Sequence, residues 1–241
     1  MTPRPALPRR TYKCLILDHD DTCVDSTASI HHPAHVAGCR ELLPSHEPID
    51  LEGWFRVNHN PGVGEYLKTV FGEDKEVIKR EMEIWHDFMK ARQPDFYPGM
   101  LELLREWREA GGLVAVVSHS PADVIKQHYE NQKSDKNPHP FLPDVIYGWR
   151  EDPSERKPNA WPTLQIMKQF DLKASDCIVL DDLSPGIKMA TAAGVKSYAC
   201  AWQHAKLVSE LEKCGASGAF FSVEEFRKHV FGMEEGTTGD A

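Results

Sequence analysis

The chain has 241 residues, 41% of them hydrophobic and 27% charged, with a formal net charge of −9. That is the make-up of a soluble globular protein able to build its own core. The acidic balance argues against a nucleic-acid partner or an anionic lipid surface, while phosphate stays possible wherever cations and backbone N–H groups gather locally.

In chain order, the opening MTPRPALPRR has basic residues with no apolar stretch behind them. It reads as a flexible leader over 1–10, not a signal peptide. The first predicted strand, YKCLILD, ends at Asp18 inside the stretch LILDHDDTCVDS. Beyond it, from Ser26 to about Pro98, no strand pattern occurs. Ile78, Met82, Trp85 and Met89 form a helical stripe, and Val63, Leu67 and Val70 a shorter one. A helical insertion over 26–96 is expected. Met100, Leu103, Leu104 and Trp107 then mark a helix between Pro98 and Gly111.

The second strand, LVAVVS, ends at Ser118. In the following SHSPADV, Ser120 and Pro121 read as N-cap and first residue of a helix. A polar loop from Asn131 to Pro140 precedes the third strand, DVIYG. Trp161, Leu164 and Met167 mark another helix, and CIVLD ends the fourth strand at Asp181. Ile187 and Ala190 lie in a helix before Gly194, and KSYAC is the fifth strand. Ser222 to Glu225 is a capping box opening a last helix, followed by a disordered tail over 233–241. No apolar run is long enough to span a bilayer. The six cysteines are scattered without a CxxC pair, which points to a reducing compartment, most simply the cytoplasm.

Strands that are apolar on successive residues and alternate with helices imply a doubly wound α/β fold with a parallel sheet, its core formed by 11–25 and 97–232. Ligands of such sheets bind beyond the carboxyl ends of the strands. Here those ends carry Asp18 and Asp20, Ser118, and Asp181 and Asp182, while Lys157 in ERKPNAW lies in a loop able to reach the same edge. Like charges this close call for a hard cation such as Mg²⁺. A phosphate beside Ser118 would meet a helix N-terminus, and Lys157 adds a point charge. These are parts for phosphoryl transfer to a carboxylate.

DHDDTCVDS resembles the opening motif of haloacid dehalogenase-superfamily phosphatases, which usually reads aspartate, any residue, aspartate, Gly-Thr-Leu-Val-Asp-Ser. VVSHS is similar to the second motif, ERKPNAW to the lysine motif, and IVLDDLSPGIKMATAAGV to the acidic fourth motif. The resemblance runs from about Tyr12 to Phe231 and is closest to the helical-cap branch of phosphoglycolate phosphatases and β-phosphoglucomutase. It implies a Rossmann-like core with the first strand central and a cap inserted after the first motif. It further implies Asp18 as nucleophile and Asp20 as acid and base. Ser118, the adjoining His119 and Lys157 would be phosphate ligands, and Asp18, Asp20, Asp181 and Asp182 the Mg²⁺ set. A small phosphorylated metabolite would be the substrate; a phosphomutase and a non-catalytic binding protein are the alternatives.

This chain departs from the pattern at Asp21, where glycine is usual, at Cys23, where leucine is usual, and at Gly186, where many members carry a further aspartate. Asp tolerates unusual backbone angles better than most residues. A calcium loop fails because Cys23 and Ser29 replace the glycine and glutamate it requires. His31, His32 and His35 invite a zinc reading, but Pro33 lies between them and no partner completes a known spacing. In the insertion, Arg56 and His59 are candidate substrate contacts, and Trp85 and Met89 read as core. The substrate and the oligomeric state are left open by the sequence.

Overall fold

The five apolar runs become β1 (Cys14–Leu17), β2 (Leu113–Val117), β3 (Val145–Tyr147), β4 (Cys177–Asp181) and β5 (Lys196–Cys200). They are seen in a computed structural model that describes residues 10–132, 140–203 and 205–233. All of the expected leader but Arg10, all of the expected tail but Met233, and most of the polar loop before β3 lie outside the described residues. A sixth strand, β6 (Ala219–Phe220), is too short to leave a periodic signal. Every pairing is parallel, and the order is β3-β2-β1-β4-β5-β6. The chain builds outward from β1 to β3, then returns to the other side of β1 with β4. The carboxyl end of β1 is therefore the switch point, flanked by the ends of β2 and β4.

After β1 the chain forms a wide π-helical turn (Thr27–His31) and then four helices ahead of the one that leads into β2. These are α1 (His32–Leu42), α2 (Leu51–His59), α3 (Val63–Phe71) and α4 (Lys75–Ala91). The segment leaves and returns at one place. The Asp25 N–H donates to the Asp95 carbonyl at 2.9 Å, and the Tyr97 N–H to the Cys23 carbonyl at 3.1 Å. Its apolar stripe is narrower than the sequence suggests: Met82 is 47% exposed, and Ile84 joins Met89 inside.

Six further helices follow among the described residues: α5 (Met100–Glu109), α6 (Ala122–Asn131), α7 (Trp161–Gln169), α8 (Ser184–Ala192), α9 (Val208–Lys213) and α10 (Val223–Val230). Side chains alternate across a strand, so each strand feeds two cores. Leu15, Leu17, Val116 and Leu180 pack with α5, α6 and α10, whereas Ile16, Val117 and Val179 pack with α7 and α8. The α5 stripe is as the spacing predicts, with Met100, Leu103, Leu104 and Trp107 all buried. The Trp107 indole N–H is satisfied by the Leu113 carbonyl at 2.9 Å. In α7 the expected stripe is turned at Leu164, which is 45% exposed, while Thr163 and Ile166 are buried and Met167 packs beside Ile166. Ser222 caps α10, accepting from the Glu225 N–H at 3.2 Å while the Glu225 carboxylate accepts from the Phe221 N–H at 2.8 Å. No helix among the described residues is long and apolar enough to cross a membrane. All six cysteines are free thiols.

Candidate active site

Asp18 sits one residue past β1, where its N–H donates to the Leu180 carbonyl at 3.0 Å and so extends the ladder to β4. Its carboxylate is buried. The Lys157 ammonium donates to Asp18 Oδ1 at 2.8 Å and to Asp181 Oδ2 at 2.9 Å. Oxygens of Asp18, Asp181 and Asp182 all lie within 4.8 Å of one another. Asp181 also accepts from the Leu183 N–H at 2.9 Å, and Asp182 from the Thr22 hydroxyl at 3.3 Å. The strand ends thus bring together these three carboxylates and the lysine.

Three buried carboxylates face one buried ammonium. Burial pushes the Asp18 carboxyl up to about 7, the Lys157 charge opposing the shift and Asp181 and Asp20 adding to it. Burial likewise raises Asp182 well above the usual carboxylate range, with Asp18 and Asp181 contributing. For Lys157, burial works against the charge, but the two aspartates outweigh it and keep the amine protonated. The excess of negative charge, carried on oxygen donors alone, suits a hard divalent cation.

The departures from the usual motif have local explanations. Asp21 adopts a left-handed backbone with φ of 54°, the conformation glycine would supply, and its carboxylate accepts from the Thr27 N–H at 3.1 Å. Cys23 is fully buried, its thiol 3.1 Å from the Asp18 carbonyl. At Gly186 a Cβ would lie 1.8 Å from Asp181 Oδ2, so no side chain fits while Asp181 holds Lys157. His19 points into the core, with its Nε2 3.0 Å from His128 Nδ1 and the rings stacked at 5.3 Å. Burial lowers its pKa to about 4, which keeps it neutral between the two acids.

Asp20 is the most heavily hydrogen-bonded group of the site. Oδ1 accepts from the Ser26 hydroxyl at 2.7 Å and from His31 Nε2 at 3.1 Å. Oδ2 accepts from the Ser118 hydroxyl at 3.1 Å and the Ser120 hydroxyl at 2.6 Å. Burial alone would raise its pKa, but the hydrogen bonds from His31 and from the Ser120 hydroxyl hold it well below the usual carboxylate range.

Several expected contacts are placed differently. Ser120 is not the cap of α6: the helix starts at Ala122 behind Pro121, and the Ser120 hydroxyl turns to Asp20. The exposed His119 donates from Nε2 to the Lys157 carbonyl at 3.0 Å, bracing the lysine loop rather than facing the carboxylates. Arg56 is 73% exposed and pairs with Glu52 on its own helix at 3.6 Å, and His59 pairs with Glu210 of α9. Neither reaches the carboxylate cluster in these contacts, because α2 directs them along the surface and toward α9. His31, His32 and His35 share no ligand geometry. His32 bonds the Ile49 carbonyl at 2.9 Å, and His35 stacks on Trp54 with centroids 4.5 Å apart. His31 goes to Asp20 instead. Ser26, Ser120 and the tie from Trp85 to His31 were not readable as site residues. The one available signal was Ser120, two residues from Ser118 on an extended segment.

Fold and cluster together define the class, a doubly wound α/β enzyme built around carboxylates at the end of its central strand. The sequence pattern described as haloacid dehalogenase-like hydrolase matches residues 15–200. The chain belongs to that family. It is 23% identical over 199 residues to a phosphoglycolate phosphatase of Vibrio parahaemolyticus, a match covering 80% of this chain and 85% of that one. Among solved structures, one titled a predicted phosphoglycolate phosphatase from Haemophilus somnus superposes with a TM-score of 0.73 at 16% identity, covering 91% of this chain and 98% of the other. CbbY from Rhodobacter sphaeroides, solved in complex with phosphate, has a TM-score of 0.65 at 17% identity, covering 88% and 94%. At such identities the structures show a shared fold.

Proposed function

We propose that the protein is a Mg²⁺-dependent phosphatase of a small organic phosphomonoester, working through an aspartyl-phosphate on Asp18. The observation that carries this reading is the cluster itself: Asp18 held by Lys157 beside Asp181 and Asp182, at the switch point of the sheet. The phosphoglycolate phosphatase relatives agree with it. Asp18 and Asp182, the Asp20 carbonyl, and Asp181 directly or through water would hold Mg²⁺. When bound, the ion would neutralise the charge of the phosphoryl oxygens and keep Asp18 ionised.

An Asp18 oxygen attacks phosphorus as the bond from phosphorus to the alcohol oxygen breaks, and Lys157 meets the phosphoryl charge. Asp20, which takes up a proton once substrate displaces the donors that keep it ionised at rest, delivers that proton to the departing alkoxide. In the second half it takes a proton from the water that attacks phosphorus and frees Asp18. Asp20 is fully engaged at rest, by Ser26, His31, Ser118 and Ser120. Substrate must therefore displace at least one of these donors, and Ser118 is the one placed to turn from Asp20 to a phosphoryl oxygen. Residues 26–96 would act as a cap that closes over the substrate and excludes bulk water. Free thiols and an acidic surface fit a cytoplasmic enzyme of small metabolites, not a nucleic-acid or membrane partner.

The test is phosphate release from p-nitrophenyl phosphate and from a panel of phosphorylated metabolites, with and without Mg²⁺. Release that stops when EDTA removes the metal supports the reading. Isomerised sugar phosphate without free phosphate would contradict it.

A further inference from the structure

We propose that Trp85 is a positioning residue for Asp20: from helix α4 it fixes the tautomer of His31, and through it the donor that Asp20 Oδ1 receives. The inference rests on the phosphatase reading for what Asp20 does, but the geometry stands independently.

An indole N–H can only donate. Trp85 Nε1 lies 3.0 Å from His31 Nδ1, so Nδ1 must offer its lone pair and the ring proton must sit on Nε2. Nε2 is the atom 3.1 Å from Asp20 Oδ1. The chain Trp85 to His31 to Asp20 therefore runs in one direction, each member donating to the next. The indole and imidazole rings also stack, with centroids 5.8 Å apart and planes 29° from parallel. Trp85 is itself set by packing against Ile30, Met89 and Val124, the last from α6 of the core.

The π-helical turn is a second, independent observation. The Ser26 carbonyl accepts from both the Ile30 N–H at 2.8 Å and the His31 N–H at 3.1 Å. This wider turn brings residues five apart onto one side, as an α-helix would not. Ser26 and His31, so spaced, both reach the same oxygen of Asp20. The backbone here is shaped to deliver two donors to Oδ1, and Trp85 decides whether the second one is a donor at all. If the proton moved to Nδ1, a lone pair would face the carboxylate. The helical insertion thereby takes part in orienting the group that handles the proton.

The test compares Trp85→Phe, which keeps an aromatic ring and loses the N–H, with the unaltered protein. Nitrogen-15 NMR of the imidazoles, with His31 assigned through His31→Gln, should show the Nε2–H tautomer in the parent and a mixture in Trp85→Phe. Turnover is measured on an alkyl phosphate, whose leaving group needs a proton, and on p-nitrophenyl phosphate, whose leaving group does not. The expected result is a kcat loss of about tenfold on the alkyl ester with KM within about twofold, and a much smaller loss on the aryl ester. His31→Gln, whose amide can still donate to Asp20, should retain several times the alkyl-ester activity of His31→Ala. This comparison serves if Trp85→Phe does not fold. An unchanged tautomer in Trp85→Phe, equal losses on both esters, or equal activity of the two His31 variants would overturn the proposal. Absence of turnover in the parent would instead overturn the phosphatase reading, and the NMR result would still decide whether Trp85 sets the tautomer.

Discussion

The Lys157 ammonium and the Asp18 carboxylate are 139 positions apart in the chain and 2.8 Å apart in the fold. The same ammonium holds Asp181 at 2.9 Å, so one residue ties the loop before α7 to the ends of β1 and β4. Removing one partner of a buried ion pair strands the other charge, at a cost of about 3–5 kcal/mol. Lys157→Met should therefore lower unfolding stability by about 3 kcal/mol, read by urea denaturation without metal. Turnover should be lost. Mg²⁺ should restore part of the stability and none of the activity.

The pH dependence of metal-free stability follows from Asp18 and Asp182. Both have folded-state pKa values above those of the unfolded chain, with Asp18 at about 7 against 3.8. At these two groups the folded protein binds more protons than the unfolded one over that interval, so the stability they contribute falls as pH rises from about 4 to about 7. Asp20 is shifted the other way, and its contribution is lost only as pH falls below the ordinary carboxylate range. Burial lowers His19, His35 and His119 to about 4, which adds stability as pH rises to about 6.5. The carboxylate contribution is therefore read against Asp18→Asn: without metal, the Tm of the parent should fall by several degrees relative to that variant between pH 5 and pH 7. Saturating Mg²⁺ should flatten or reverse the slope, because the cation favours the ionised carboxylates. A metal-free Tm of the parent that rises relative to that of Asp18→Asn over this interval would contradict the excess of buried negative charge.

Gly186→Ala tests the close approach of α8 to the site. The new methyl would lie 1.8 Å from Asp181 Oδ2, so Asp181 has to swing away and release Lys157. We expect the chain to fold, with kcat reduced by about a hundredfold and a weaker response to Mg²⁺. Steady-state kinetics across a Mg²⁺ titration checks both.

Much of the core was legible because buried parallel strands are apolar at every position, so β1 to β5 stand out as short runs. β6 has only two residues, and a period needs more than that. On α7 the spacing of Trp161, Leu164 and Met167 places Leu164 inside, whereas packing against β1, β2 and β4 keeps Met167 and selects Ile166 in its place. Asp18, Asp181, Asp182 and Lys157 could be brought together on paper because parallel sheets place their strand ends at one edge. The shell around Asp20 could not. Ser26 and His31 reach it through a π turn that no spacing rule announces, and Ser120 through a hydroxyl that sequence alone assigns to a helix cap. Arg56 and His59 pair with Glu52 and Glu210, a placement that depends on how the insertion sits against the core.

The central claim is that Asp18 attacks phosphorus. Its most direct test is to quench the enzyme during turnover with Mg²⁺ and substrate, reduce it with borohydride and map the peptides by mass spectrometry. An aspartyl-phosphate is reduced to homoserine, and we predict that change at residue 18 alone, absent in Asp18→Asn. Steady phosphate release with an unmodified Asp18, or release undiminished in Asp18→Asn, would contradict the mechanism.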